Sequence, residues 1–210
     1  MRRFSHTSAG LPRATPRLQH RGRARGFTIP ELLTVVVIIG VFAAAASPTF
    51  IQMMRDRRVN RAAMEVTGLY RLARTRALGR NTAVTVTWSA TTQTFQMWEA
   101  VNQSGATPVL EPSCRATDWS NPAEVRSLTQ LRLGVNPYEL ASVDFLNDAG
   151  VSQPVVEICF TPRGQTYIRN ASGNVFNPVV GAPRVNVRNA NTNLLRSVLI
   201  PPNGAARMAL

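Results

Sequence analysis

From Phe27 to Ser47 the chain carries a single charge, Glu31, in an otherwise apolar run. As a helix rising 1.5 Å per residue, that run is roughly 30 Å long, the thickness of a bilayer's hydrocarbon core. A basic segment precedes it and Pro48 follows it. A carboxylate deep in a membrane costs about 2.5–3.5 kcal/mol on insertion scales, so Glu31 calls for a partner. Read from these residues alone, the stretch is a single-pass anchor whose glutamate is favoured in the first turn by the helix dipole. Residues 1–25 are rich in Arg, Pro and Ser and hold no apolar core. An ordinary secretory signal has its apolar segment before the cleavage site, and here it comes after any site near Gly26. The arginines fit the positive-inside rule, which keeps this end cytoplasmic and sends the rest across.

Beyond Pro48 a helical pattern resumes. Ala62, Val66, Leu69, Ala73 and Ala77 recur at steps of three and four, and Leu72 widens that stripe. Gly79-Arg80-Asn81 reads as a stop signal. The pattern predicts one helix from about 28 to 79, bent or locally melted near Pro48, its second half packed on a sheet. The arginines at 55–61 read as a solvated face, or as contacts to lipid headgroups or acidic neighbours. After Asn81 the pattern becomes that of strands. Ala83–Trp88 alternates, with Val84, Val86 and Trp88 on one face, and Gln93–Val101 answers it across a turn at Ala90-Thr91-Thr92. Further strands are expected at 125–133, 141–146, 155–161, 165–169, 184–188 and 194–200. Residues 102–123 and 170–181 read as loops. The fold class is therefore α+β, a long helix carrying one β-rich domain.

Composition excludes most catalysis. The 24 basic residues are all arginine, so no P-loop or Schiff-base lysine exists. Both histidines, His6 and His20, lie before Gly26, which leaves the remainder without a histidine for acid–base work or metal ligation. No enzyme activity, cofactor or metal is expected. Asp144-Phe145-Leu146-Asn147-Asp148 has too few oxygen ligands at too loose a spacing for a calcium loop and reads as a polar turn. Cys114 and Cys159 would form a bridge if the domain lies outside the cytoplasm; the alternative is two thiols, with Cys159 buried on a strand.

Gly26, Phe27 and Glu31 match the class III signal of type IV pilins and type II secretion pseudopilins: a glycine, a phenylalanine, then a glutamate fifth in the mature chain. Pro48 falls at the twenty-second mature position, where that family often has proline. The resemblance implies cleavage between Gly26 and Phe27 by a membrane prepilin peptidase and N-methylation of Phe27. It also implies that Glu31 pairs with the Phe27 amine of a neighbouring subunit during assembly. Within the superfamily the chain is most similar to GspH/FimT-type minor pilins. Three patches carry this: Leu72–Asn81, which resembles the family's leucine, alanine, arginine run closing on arginine and asparagine; the strand Ala83-Val84-Thr85-Val86; and the turn Phe160-Thr161-Pro162-Arg163-Gly164. The family usually has an acidic residue where Arg76 stands. Many members carry glycine followed by arginines at the chain's end, where Gly204-Ala205-Ala206-Arg207 has one arginine.

The implied organisation is a cleaved basic leader over 1–26, a transmembrane and assembly helix over 27–48, an amphipathic continuation over 49–80 and a β-rich domain over 81–210. Removal of residues 1–26 takes away seven arginines and no acid, leaving a charge of +6. The implied function is that of a minor pilin or pseudopilin, a structural subunit of a type IV pilus or a secretion pseudopilus. Its partners would be other pilin subunits, the prepilin peptidase and the bacterial inner membrane, with the C-terminal domain in the periplasm or in an extracellular filament. A major filament subunit is the less favoured reading. No acidic residue follows Glu157, whereas Arg163, Arg169, Arg184, Arg188, Arg196 and Arg207 do. One sign of charge attracts anions, so this end either meets acidic neighbours or, as in some relatives, captures DNA. Arg163, Arg188, Arg196 and Arg207 are the candidate contacts.

Overall fold

The computed structural model describes residues 26–103, 105, 107–139, 141–170 and 175–209. It divides into two compact units, Met1–Ala45 and Ala46–Leu210. The proposed leader, apart from Gly26, lies outside the described residues.

A single helix, α1, runs Ile29–Arg80. Pro48 has no N–H to give the carbonyl four residues back, yet α1 continues through it, so of the bend or local melting expected there the melting does not occur. The helix stops where the sequence signal placed it. Asn81 takes a positive φ of 54°, and the Thr82 N–H donates to the Ala77 carbonyl at 3.3 Å. This is a Schellman-type end in which asparagine fills the left-handed position usually given to glycine.

In the first unit, the described residues Gly26–Ala45 are all exposed, and α1 is apolar on every side there. In the second unit the helix has one buried face: Val59, Ala62, Ala63, Val66, Thr67, Leu69, Tyr70, Ala73 and Ala77. Leu72 is not on it. It is 52% exposed, because the stripe runs along Ala62, Val66, Leu69 and Ala73 and leaves Leu72 at its edge.

Two antiparallel sheets complete the domain. The larger has β1 (Val84–Ser89) and β6 (Val155–Phe160) at its centre. β2 (Thr94–Asn102) pairs with β1, and β7 (Thr166–Asn170) with β6. β3 (Val109–Leu110) and β4 (Val125–Arg132) share the far edge of β2, and β8 (Asn177–Pro178) lies beyond β7. The smaller sheet runs β11–β10–β9–β5, with β5 Ala141–Leu146, β9 Arg184–Asn189, β10 Leu195–Leu199 and β11 Arg207–Ala209. Six of the expected strands and the first hairpin lie where the alternation put them. β3 and β8 sit inside stretches expected to be loops, and β11 was not anticipated. Each has two or three residues, too few to show a period of two.

Pairing sets which side chains meet. Val84, Val86 and Trp88 stand opposite Phe160, Ile158 and Val156 on one face of the large sheet, in the same core cluster as the helix stripe. The small sheet adds Val185, Val187 and Val198 to that core. On the other face of the large sheet a second cluster forms from Ala83, Ala100, Cys114, Cys159 and Phe176. Cys114 and Cys159 are joined as a disulfide, closing a separation of 45 residues. The stretch around Cys114 is thereby held on the sheet. Trp119 donates its indole N–H to the Cys114 carbonyl at 2.9 Å and meets the Phe176 ring edge-on.

The turn between β6 and β7 closes as its composition suggested. The Thr161 N–H donates to the Gln165 carbonyl, and Gly164 has φ +78°, a conformation costly for a side chain bearing Cβ. Asp144-Phe145-Leu146 belongs to β5 rather than to a turn. Asn147 makes the turn that follows, its side-chain oxygen accepting from the Ala149 and Val151 N–H groups.

Candidate functional site: the helix start and the arginine-rich end

The first candidate site is the helix start. Thr28 precedes α1, and its carbonyl accepts from the N–H groups of Glu31 and Leu32, both at 3.1 Å. The Glu31 carboxylate reaches back to the Thr28 N–H at 3.5 Å. Thr28-Ile29-Pro30-Glu31 therefore has the composition of a capping box and its glutamate half, while the Glu31 N–H goes to the Thr28 carbonyl rather than to its hydroxyl; proline sits inside the first turn, where its missing N–H costs nothing. The threonine–glutamate spacing was visible in the sequence and was missed as a cap. Gly26, Phe27, Thr28 and Glu31 line one recess of about 480 Å³. Phe27 is 78% exposed and Glu31 is exposed beside it. The 3.5 Å contact is at the limit of a hydrogen bond, so the carboxylate stays available to a stronger donor. A cation brought to this recess would meet one charge in apolar surroundings, where the attraction is least screened. The helix that begins here is long and apolar enough to cross a bilayer.

The second candidate site is the arginine-rich end, and its four residues do not form one patch. Arg163 is exposed in the β6–β7 turn, on the large sheet. Arg188 is exposed on β9, opposite Leu195 and Ser142. Arg207 is exposed on β11, opposite Leu199, which in turn faces Arg184, so these three arginines share the outer side of the small sheet. Arg196 pairs in register with the buried Val187 and turns the other way. Its Nε donates to the Asn60 side-chain oxygen on α1 at 2.6 Å. Arg169 is engaged too: it forms an ion pair with Glu157 and covers the Phe176 ring at 4.5 Å.

Arg76, at a position where an acid was the family expectation, is also engaged. It pairs with Glu99 on β2 at 3.2 Å, and Arg80 pairs with the same carboxylate at 3.0 Å. Arg126 completes the cluster. Glu99 is fully buried. Burial by itself would raise its pKa, but hydrogen bonds from Arg76 and Arg126 and the nearby charge of Arg80 outweigh that and hold it below the usual carboxylate value.

Residues 21–47 match the model of the prokaryotic N-terminal methylation motif. No curated protein matches the sequence. Two crystal structures of the type IV minor pilin FimU of Pseudomonas aeruginosa (strain PAO1) are similar to the chain, each at 13% identity. The matches cover 75% and 72% of this chain and 92% of each of those chains, with TM-scores of 0.43 and 0.41. The chain is thus similar, over residues 21–47, to the N-terminal methylation motif of prokaryotic proteins, which here stands at the start of one long helix whose second half packs onto an antiparallel β domain.

Proposed function

We propose that the protein is a minor pilin, a structural subunit built into a type IV pilus or a related pseudopilus through its N-terminal helix. One observation carries this: the methylation motif lies over the one helix among the described residues that is long and apolar enough to span a membrane, with Glu31 in its first turn. In this reading a prepilin peptidase cuts between Gly26 and Phe27, and the new Phe27 amine is methylated. Before assembly the helix anchors the protein in the bacterial inner membrane, with residues 81–210 on the far side. In the filament the Glu31 carboxylate takes the Phe27 amine of a neighbouring subunit, which relieves the cost of an unpaired charge at membrane depth. The protein contributes helix packing and a displayed β domain rather than chemistry.

Glu31→Ala tests this directly. The residue lies in the unit before Ala46 and takes no part in the β-domain core. The variant should therefore reach the membrane fraction at the wild-type level and be depleted several-fold from filaments sheared off cells. Wild-type incorporation of Glu31→Ala would contradict the pairing.

A further inference from the structure

A cleft of about 490 Å³ opens between α1 and the segment Gly204–Arg207, lined by Arg71, Arg74 and Arg207. No acidic side chain lines it among the described residues. Arg71 donates its Nε–H to the Ala206 carbonyl at 2.8 Å, which fixes the loop to the helix. Gly204 holds the loop close: it has φ +70°, and a Cβ there would come within 2.9 Å of the Phe160 ring. The cleft is therefore framed by rigid parts. Among the described residues, the Arg74 Nε is shielded from solvent and has no hydrogen-bond partner. Three like charges around one recess repel, and a desolvated guanidinium N–H without a partner is costly. An oxyanion removes both penalties. The guanidinium fork offers parallel donors that fit a carboxylate.

We propose that this cleft is a docking site for an acidic side chain, glutamate or aspartate, of a partner protein other than a second copy of this chain. The chain's own acids argue against self-association. All but Asp148 already accept a hydrogen bond or an ion pair within the fold or at the helix start. A nucleic acid strand is the poorer fit. Arg71, Arg74 and Arg207 line one recess instead of following a backbone, and Arg163 and Arg196 lie elsewhere. The proposal stands apart from the filament reading, since it concerns binding by the purified protein.

The experiment is fluorescence anisotropy with the full chain in nonionic detergent and a labelled oligoglutamate peptide. Binding should be weakened by salt, and about tenfold by either Arg74→Gln or Arg207→Gln. Arg74→Lys, which keeps the charge and loses the fork, should recover only part of the loss. Arg163→Gln and Arg188→Gln, outside the cleft, should change nothing. Arg207 is exposed, so its variant folds even if Arg74→Gln does not. Three results would overturn the proposal: no peptide binding at low salt, an equal loss with Arg163→Gln, or tighter binding of a short DNA duplex that the cleft variants abolish. The last would assign the cleft to phosphate. Incorporation of the same variants into filaments is read separately, so either idea can fail without the other.

Discussion

At the scale of single residues, the two side chains that cost most to bury make opposite predictions. Glu99 has no exposure and three arginines around it, each partly open to water. Its pKa is lowered on folding, so the cluster's contribution is fully present above the unfolded carboxyl value of about 4.3 and is lost as pH falls through the lower folded value. Glu99→Gln should cost about 2 kcal/mol near neutrality, discounted from the figure for fully buried pairs because solvent screens the arginines. It should also flatten the fall in stability below about pH 4. Chemical denaturation at several pH values measures both, and an unchanged acid limb would remove Glu99 from the account. Tyr70 is the reverse case. Its ring sits edge-on to Phe95 and Phe160, at 6.2 and 6.4 Å, while its hydroxyl is buried without a partner. Burial therefore pushes the hydroxyl pKa far up. Tyr70→Phe keeps the ring contacts and removes an unsatisfied donor. It should be neutral or stabilising by up to about 1 kcal/mol, whereas Tyr70→Ala should cost about 3–5 kcal/mol. A clear loss of thermal stability in Tyr70→Phe would mean that the hydroxyl is satisfied in solution.

At the scale of elements, the disulfide decides how firmly the 103–124 stretch is held to the large sheet. Its other attachments among the described residues include β3, the Trp119 contacts, the Ala83 and Val101 N–H groups donated to the Glu111 and Glu124 carbonyls, and the Arg115 Nε–H donated to the Phe176 carbonyl. Closing a loop of this length is worth about 4 kcal/mol on the chain-entropy model. Replacing both cysteines by alanine should lower the melting temperature by roughly 10 °C and expose that stretch to protease before the core. Equal melting temperatures would leave the bridge without a stabilising role. The same region marks the limit of what the sequence disclosed. β1 was legible because Val84, Val86 and Trp88 alternate with polar residues in the sequence, and α1 was legible because its stripe recurs from Ala62 to Ala77. Leu72 was misplaced because three residues from Leu69 and one short of Ala73 is still a plausible helical position; only packing shows the edge of the stripe. β3, β8 and β11 are made by tertiary pairing of two or three residues, and no local pattern can announce that. At the candidate sites, Glu31 was legible as a lone charge in an apolar run. The Glu99 cluster and the cleft of Arg71, Arg74 and Arg207 were not. Each joins arginines of one helix turn to residues far off in sequence, Glu99 and Arg126 in the one and Arg207 in the other, which meet them only when the helix and strands pack.

At the scale of the whole molecule, charge and hydrophobicity are sorted along the chain. Seven arginines precede Phe27, one acid stands in the apolar run, and the remainder is arginine-rich with most of its acids already engaged. A membrane-inserted chain with this order keeps its arginine-rich start cytoplasmic, since positive charge beside a span resists transfer. A cut between Gly26 and Phe27 would lower the net charge from +13 to +6 and expose an amine five positions from Glu31, counting Phe27 as the first. That amine is the only cation the processed chain would carry near the carboxylate, since no lysine exists and the next arginine is Arg55. In the proposed reading processing and pairing are linked, because an uncut chain has no amine at Phe27. Gly26 has no Cβ, and nothing lies within 4 Å of where one would be, so the folded protein does not require glycine there. Gly26→Val should therefore leave stability unchanged while blocking cleavage, if the requirement belongs to a narrow peptidase site. Mass spectrometry of the N-terminal peptide from cells expressing a prepilin peptidase decides the matter. Wild type should begin at methylated Phe27, and Gly26→Val should retain the leader and stay out of filaments. A wild-type chain that still begins at Met1 in such cells would refute the processing, and efficient cleavage of Gly26→Val would refute the steric account of it.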